Sequence, residues 1–161
     1  MLEENAAVEI ERKYLPKGDG WRNALTGPGV PIRQGYLASG AGCTVRVRVK
    51  GKRAYLTVKG PTRGASRAEF EYPIPTEDAR EMLETLCAKP LIEKTRYVVR
   101  HWGLDFEIDE FLGENAGLVL VEVELEREEQ KIELPEWVGP EVTGDMRYYN
   151  SNLARNPFGR W

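Results

Sequence analysis

Apolar and polar residues alternate along most of this chain, in short runs separated by glycine, proline or asparagine. Successive side chains of a strand point to opposite faces, so a period of two over a short run predicts half-buried β-structure. Such runs cover 8–13, 31–37, 43–50, 53–59, 67–74, 91–100, 104–109 and 118–125. Gly51-Lys52 is the two-residue kind of connection that joins antiparallel neighbours, and Gly40-Ala41-Gly42 is another turn. One stretch, 76–87, has the helical period instead: Met82, Leu83 and Leu86 recur on one face. Thr76 stands as N-cap there, and Glu77 and Asp78 suit the positive end of the helix dipole. That helix is expected to pack outside the sheet. A single helical turn is expected at 21–25, and a short terminal helix over 142–154, capped near Thr143 or Asp145. The fold class is α+β, mainly antiparallel β, and eight short strands are best closed into a barrel, which leaves no exposed edge.

The polar positions of these strands are sorted by sign. In the first strand Glu9, Glu11 and Lys13 share a face, about 6–7 Å apart in succession, with Val8, Ile10 and the stem of Arg12 opposite. Glu69 and Glu71, Glu107 and Asp109, and Glu122 and Glu124 repeat the acidic pattern. Arg46 and Arg48, Thr57 and Lys59, and Lys94 and Arg96 form its basic counterpart. Like charges along one strand repel, whereas an ordinary wet face mixes both signs. The sorting is explained if the charged faces line a cavity that holds hard cations on carboxylates and a polyanion on guanidinium and ammonium groups. Gln34 and Tyr36 fall on the same face of their strand and can hydrogen-bond within such a cavity.

Composition narrows the function classes. The 161 residues suit one domain spanning 1–161, and 41% hydrophobic with 30% charged residues describes a water-soluble protein. Twenty-three basic against 26 acidic residues argue against a nucleic-acid binder. No apolar run approaches the roughly 20 residues of a membrane span. The acidic start, MLEENAAVEIERK, does not read as a secretory signal. Cys43 and Cys87 are expected to be reduced and buried, which favours a cytoplasmic location. The single histidine, His101, lies beside Trp102-Gly103 in a predicted turn, so histidine-relay catalysis and multi-histidine zinc sites are poor prospects.

Glu9-Ile10-Glu11-Arg12-Lys13 matches an ExExK signature, the charged pairs follow in a fixed order, and Val142-Thr143-Gly144-Asp145-Met146-Arg147-Tyr148-Tyr149-Asn150 forms a distinctive tail. In all three features the chain resembles the CYTH domain, or triphosphate tunnel metalloenzymes, over essentially its whole length. The resemblance implies an eight-stranded tunnel that binds a linear triphosphate with Mg²⁺ or Mn²⁺, two ions being expected. It implies a phosphate clamp of Lys13, Arg46, Arg48, Lys59, Lys94 and Arg96, with Arg147 added from the tail. Met146 departs from the family's pattern, in which a basic residue is common. Glu9, Glu11 and Glu122 resemble ligands of a first metal. Glu69, Glu71, Asp109 and Glu124 resemble the surroundings of a second metal or of the attacking water, with Glu107 beside them. Glu71, Glu124 and Lys94 are the expected catalytic residues. The implied activity is metal-dependent hydrolysis of inorganic tripolyphosphate to pyrophosphate and phosphate. The alternatives are a nucleoside or thiamine triphosphatase, a class IV adenylyl cyclase, or a non-catalytic polyphosphate- or nucleotide-binding module. The expected partner is a small triphosphate, with no nucleic acid or membrane, and a homodimer stays open. Tyr36, Tyr55 and Trp21 are candidate base stackers, and packing or a turn explains each equally well.

Overall fold

Eight antiparallel strands close on themselves because the first of them is paired along both of its edges. The computed structural model describes residues 8–40 and 42–161. The first seven residues of the acidic start, and Ala41 of the predicted Gly40–Gly42 turn, lie outside the described residues. The strands are β1 (Val8–Pro16), β2 (Val30–Ser39), β3 (Thr44–Lys50), β4 (Arg53–Lys59), β5 (Ser66–Ile74), β6 (Ile92–His101), β7 (Leu104–Phe111), β8 (Val119–Glu124) and β9 (Val138–Glu141). Hydrogen-bonded order runs β5-β4-β3-β2-β6-β7-β8-β1, and β5 pairs back onto β1 to close the barrel. On that closing edge β1 gives its first residues to β5, with Glu9 opposite Arg67, and its last to the short β9, with Pro16 opposite Val138. Its other edge lies on β8, with Glu11 opposite Glu124 and Lys13 opposite Glu122.

Eight of the predicted elements are therefore barrel strands, and the two-residue hairpin falls at Gly51-Lys52, where Gly51 takes a positive φ of 58°. β9 was not predicted. Its Val-Gly-Pro-Glu sequence has no alternation and makes a strand only by adding to β1. The 53–59 and 67–74 strands meet in the register that sets Thr57 opposite Glu71 and Lys59 opposite Glu69, so acidic and basic partners face each other across strands.

Much of the apolar packing lies outside the barrel. Tyr14, Phe106, Ile108, Val121 and Val123 back the charged faces of β1, β7 and β8, and Trp21 covers them from a 3₁₀ turn at Gly20–Ala24. Helix α1 (Thr76–Thr85) sets Ala79 and Leu83 on Val47 and Ala54. Two details of that helix differ from expectation. Pro75 is the N-cap residue, and the Thr76 hydroxyl instead donates to the Lys52 carbonyl at 3.2 Å. Leu86 is 65% exposed because it sits past the last helical turn, and Ala79 takes the inner position where the helix approaches the sheet.

The interior is apolar at one end. Ile92, Phe111 and Leu120 share a face with the charged residues of their strands, and Tyr148 and Leu153 of the C-terminal segment pack onto them. The expected terminal helix over 142–154 is broken. A 3₁₀ turn, Met146–Tyr148, is followed by α2 (Asn150–Leu153), a single turn. Gly144 has φ of 82°, and the Asp145 carboxylate accepts from the Arg147 backbone N–H, so the chain turns where a continuous helix would have run. Cys87 is buried as expected, but Cys43 is exposed, because it precedes β3 rather than lying within it. Among the described residues, no helix is long and apolar enough to cross a membrane.

His101 ends β6, and Trp102 and Gly103 make the turn with positive φ of 48° and 77°. The imidazole packs edge-on against Trp102 and Phe106, at centroid distances of 6.4 and 6.1 Å, on the outside of the barrel wall. His101→Ala is expected to keep hydrolytic activity within about 2-fold of the parent, under ~0.5 kcal/mol in barrier. A kcat measurement on the variant checks this, and a collapse would place the imidazole in the chemistry.

Candidate active site

Period two turns alternate residues of every strand inward, so a closed barrel gathers the sorted charges into one cavity of about 200 Å³. Eight cationic and seven carboxylate side chains line it. Such a near-balance matches neither a bare polyanion nor a bare cation. It matches a polyanion that enters together with a divalent cation. All the predicted site residues line the cavity except Asp109 and Arg147.

Asp109 is fully buried behind the cavity wall. It accepts from Lys94 Nζ at 2.7 Å and from Arg96 Nε and Nη2 at 2.7 and 2.8 Å. Its inward parity was read correctly, but its depth was not, because two longer side chains reach past it. Arg147 turns away from the cavity onto the Asp145 carboxylate at 2.7 Å and lies over the rings of Tyr148 and Trp161.

The basic wall comes from β3, β4 and β6. Arg46 Nη2 donates to Thr57 Oγ1 at 3.2 Å and lies 3.6 Å from Glu71, while its Nε is buried with no hydrogen-bond partner among the described residues. Arg48 Nε donates to Gln34 Oε1 at 2.9 Å. Burial, together with the Arg46 and Arg96 charges, pushes the Arg48 guanidinium down to about 9. Burial beside Arg96 and Arg48 likewise outweighs Asp109 and pushes Lys94 down to about 7. Burial alone would push Arg96 down too, but Asp109, Glu107 and Glu122 reverse this and raise it. An unpartnered buried donor and cations depressed by one another are what an anion would relieve.

The acidic wall comes from β1, β5 and β8. Lys13 Nζ bridges Glu122 at 2.9 Å and Glu11 at 3.3 Å, and Lys59 Nζ bridges Glu9 at 2.7 Å and Glu69 at 3.1 Å. Burial opposes both charges of the Lys13–Glu122 pair, yet Glu11 and Glu122 raise Lys13, and Lys13 and Arg96 hold Glu122 well below the usual carboxylate range. Glu11 is raised by burial and by the Glu122 charge, and Glu124, its direct cross-strand neighbour, by burial and by Glu9 and Glu69. As the side chains stand, no three carboxylates among the described residues converge on one ion-sized point. The donor set nevertheless suits a hard divalent cation, because it is all carboxylate oxygen and neighbouring carboxylates raise both Glu11 and Glu124.

Sequence reading missed Arg67, Lys50, Thr44, Tyr149, Asn150 and Ser151, all of which line the cavity. Arg67 has the parity of Glu69 and Glu71, and Lys50 and Thr44 that of Arg46 and Arg48, so the alternation of β5 and β3 carried the signal for these three. The other three enter from the C-terminal segment, where no period marks an inward face. Tyr149 places its ring beneath Lys13 Nζ at 5.8 Å and the Arg67 guanidinium at 5.9 Å.

The CYTH domain model matches residues 7–155. The chain is 51% identical over 150 residues to an inorganic triphosphatase of Acetivibrio thermocellus, covering 93% of this chain and 95% of that one. It is 40% identical over 153 residues to an inorganic triphosphatase of Nitrosomonas europaea, covering 91% and 97%. A crystal structure of an inorganic triphosphatase superposes with a TM-score of 0.63 at 37% identity, covering 91% of this chain and 93% of that one. With the barrel, the sorted cavity and this span of similarity together, the chain belongs to the CYTH domain family.

Proposed function

We propose that this protein is an inorganic triphosphatase, an acid-anhydride hydrolase that cleaves tripolyphosphate to pyrophosphate and phosphate inside its barrel. The observation that carries this reading is the cavity itself: cations from β3, β4 and β6 face carboxylates from β1, β5 and β8 across one enclosed space. Water attacks a terminal phosphorus, the bridging P–O bond breaks, and its electron pair leaves on the pyrophosphate oxygen. Such a transfer requires positioning and charge neutralisation rather than a side-chain nucleophile.

Arg46, Arg48, Lys59, Lys94, Arg96 and Lys13 hold the non-bridging oxygens, arginines as forks and lysines as point charges. Arg67 extends that set. Glu9, Glu11, Glu122 and Glu124 are the residues that would hold Mg²⁺ or Mn²⁺, with Glu69 and Glu71 in position for a second ion. When bound, a divalent ion there supplies Lewis-acid neutralisation of phosphoryl charge. Glu71 and Glu124 are the carboxylates that would take the proton of the attacking water. Asp109 acts from behind, holding Lys94 and Arg96 toward the cavity.

Tripolyphosphate fits better than a nucleotide. Among the described residues, Tyr36 and Tyr149 are the aromatic side chains of the cavity; Tyr36 is buried in the wall, and Tyr149 is engaged by two cations. kcat/KM for tripolyphosphate is expected to exceed that for ATP at least ~10-fold, about 1.4 kcal/mol, with little discrimination between ATP and GTP. Phosphate release from tripolyphosphate, pyrophosphate, ATP, GTP and thiamine triphosphate, each with Mg²⁺ and Mn²⁺, tests the reading. Absence of tripolyphosphate turnover would sink it, and efficient ATP turnover with rejection of GTP would favour a nucleotide enzyme.

A further inference from the structure

Two members of the basic wall, Lys94 on β6 and Arg48 on β3, are joined by a pair of neutral amides. Asn150 Oδ1, on α2, accepts from Lys94 Nζ at 3.0 Å and from Gln34 Nε2 at 3.1 Å. Gln34 Oε1 in turn accepts from Arg48 Nε at 2.9 Å, and Gln34 is fully buried. The orientation of both amides is fixed by this chain. An ammonium only donates, so an oxygen must face Lys94, and the same logic puts the Gln34 oxygen on Arg48. We infer that Asn150 is a positioning residue of the clamp: through its own carbonyl and Gln34 it sets the direction of both Lys94 and Arg48 toward the phosphate chain. The inference rests on the triphosphatase reading above.

The donor count supports it. Lys94 has three N–H bonds; Asp109 and Asn150 take two, which leaves one for the cavity. Arg48 is tied at Nε alone among the described residues, so both of its terminal nitrogens are left to a ligand. The chemistry of the tie matters as much as its geometry. A carboxylate at 150 would also hold Lys94, but it would cancel charge that the substrate needs. An amide holds the ammonium in place and leaves its charge unspent. The C-terminal segment is the element that delivers it. Val142 N–H donates to the Lys13 carbonyl at 2.8 Å and the Lys13 N–H donates to Thr143 Oγ1 at 3.0 Å, which docks that segment on the free part of the β1 edge and brings α2 to the cavity.

The test uses Asn150→Ala, the near-isosteric Asn150→Asp, Gln34→Ala and the Asn150/Gln34 double alanine variant. It reads tripolyphosphate kinetics, calorimetric affinity for tripolyphosphate, and the urea midpoint. Asn150→Asp keeps the fold and the contact, and is expected to weaken tripolyphosphate affinity at least ~10-fold through charge alone. Asn150→Ala is expected to lower kcat/KM about 10–100-fold, and the double variant to cost no more than the larger single change, because one chain is being cut twice. Parent-like affinity in the Asp variant, or single effects that multiply in the double, would overturn the positioning role. A parent protein that fails to turn over tripolyphosphate would instead fault the reading on which the inference rests. Should Asn150→Ala fail to fold, the Asp variant and Gln34→Ala still decide.

Discussion

Glu11→Gln is expected to lower tripolyphosphate turnover at least ~100-fold, a barrier increase of about 2.7 kcal/mol, while leaving the folded protein no less stable. The two halves of that result have one origin. Glu11 sits opposite Glu124 on β8, and its carboxyl is raised by burial and by the Glu122 charge. Replacing it with a neutral isostere relieves the burial and the Glu122 repulsion, which together outweigh the attraction of Lys13, and the same change removes an anionic ligand from the place where a divalent cation is proposed to sit. Stability and activity should thus move in opposite directions. Adding EDTA to the parent protein should reproduce the loss of activity. kcat in Mg²⁺ and a urea midpoint on the same preparation check both halves. Full activity in the variant, or in chelator, would remove the metal assignment from this face.

The second large effect is on the fold. Asp109→Ala leaves Lys94 and Arg96 buried without their common carboxylate and is expected to destabilise the protein by about 3–5 kcal/mol, the usual result of breaking a buried ion pair from one side. A urea unfolding curve measures it, and a midpoint unchanged from the parent would contradict the arrangement. The same group predicts an acid limb. Burial pushes the Asp109 carboxyl up, but Lys94 and Arg96 prevail and hold it down to about 2, below the ordinary 3.8. A carboxylate whose folded pKa is depressed contributes stability that is complete above its unfolded pKa. The contribution is then lost as pH falls through the folded value. The window is therefore from about 4 down to about 2. Glu122, depressed by Lys13 and Arg96 against burial, acts with the same sign. Asp109→Asn should lower stability at neutral pH and flatten that part of the acid limb.

The fold was legible because alternation in a closed barrel is a direct record of inside and outside. Every charged strand pair read from parity, from Glu9 and Glu11 to Glu122 and Glu124, reaches the cavity except through Asp109, where depth rather than direction was decisive. Parity cannot tell a short carboxylate that lines a wall from one covered by a lysine and an arginine. It does turn Ile92, Phe111 and Leu120 the same way as their charged neighbours, but it cannot foresee that the C-terminal segment packs onto them and fills one end. The tail was the least legible part. Its helix-forming residues suggested a continuous helix, but Gly144 and the Asp145 cap break it, and that break is what turns Arg147 outward and Asn150 inward.

The way β1 is shared has a consequence for how the chain reaches its native state. Its partners on β5, β8 and β9 begin at Ser66, Val119 and Val138, so none lies near it in sequence. Hairpins such as β3–β4 and β6–β7 can form as soon as they leave the ribosome, because each joins neighbours through a short turn. The first strand to be made must wait until β8 has emerged before its second edge is covered. A nascent chain of this protein therefore carries its ExExK strand incompletely paired through most of synthesis. Refolding of the full chain should be limited by late capture of that strand, on the millisecond-to-second scale of proteins dominated by distant contacts.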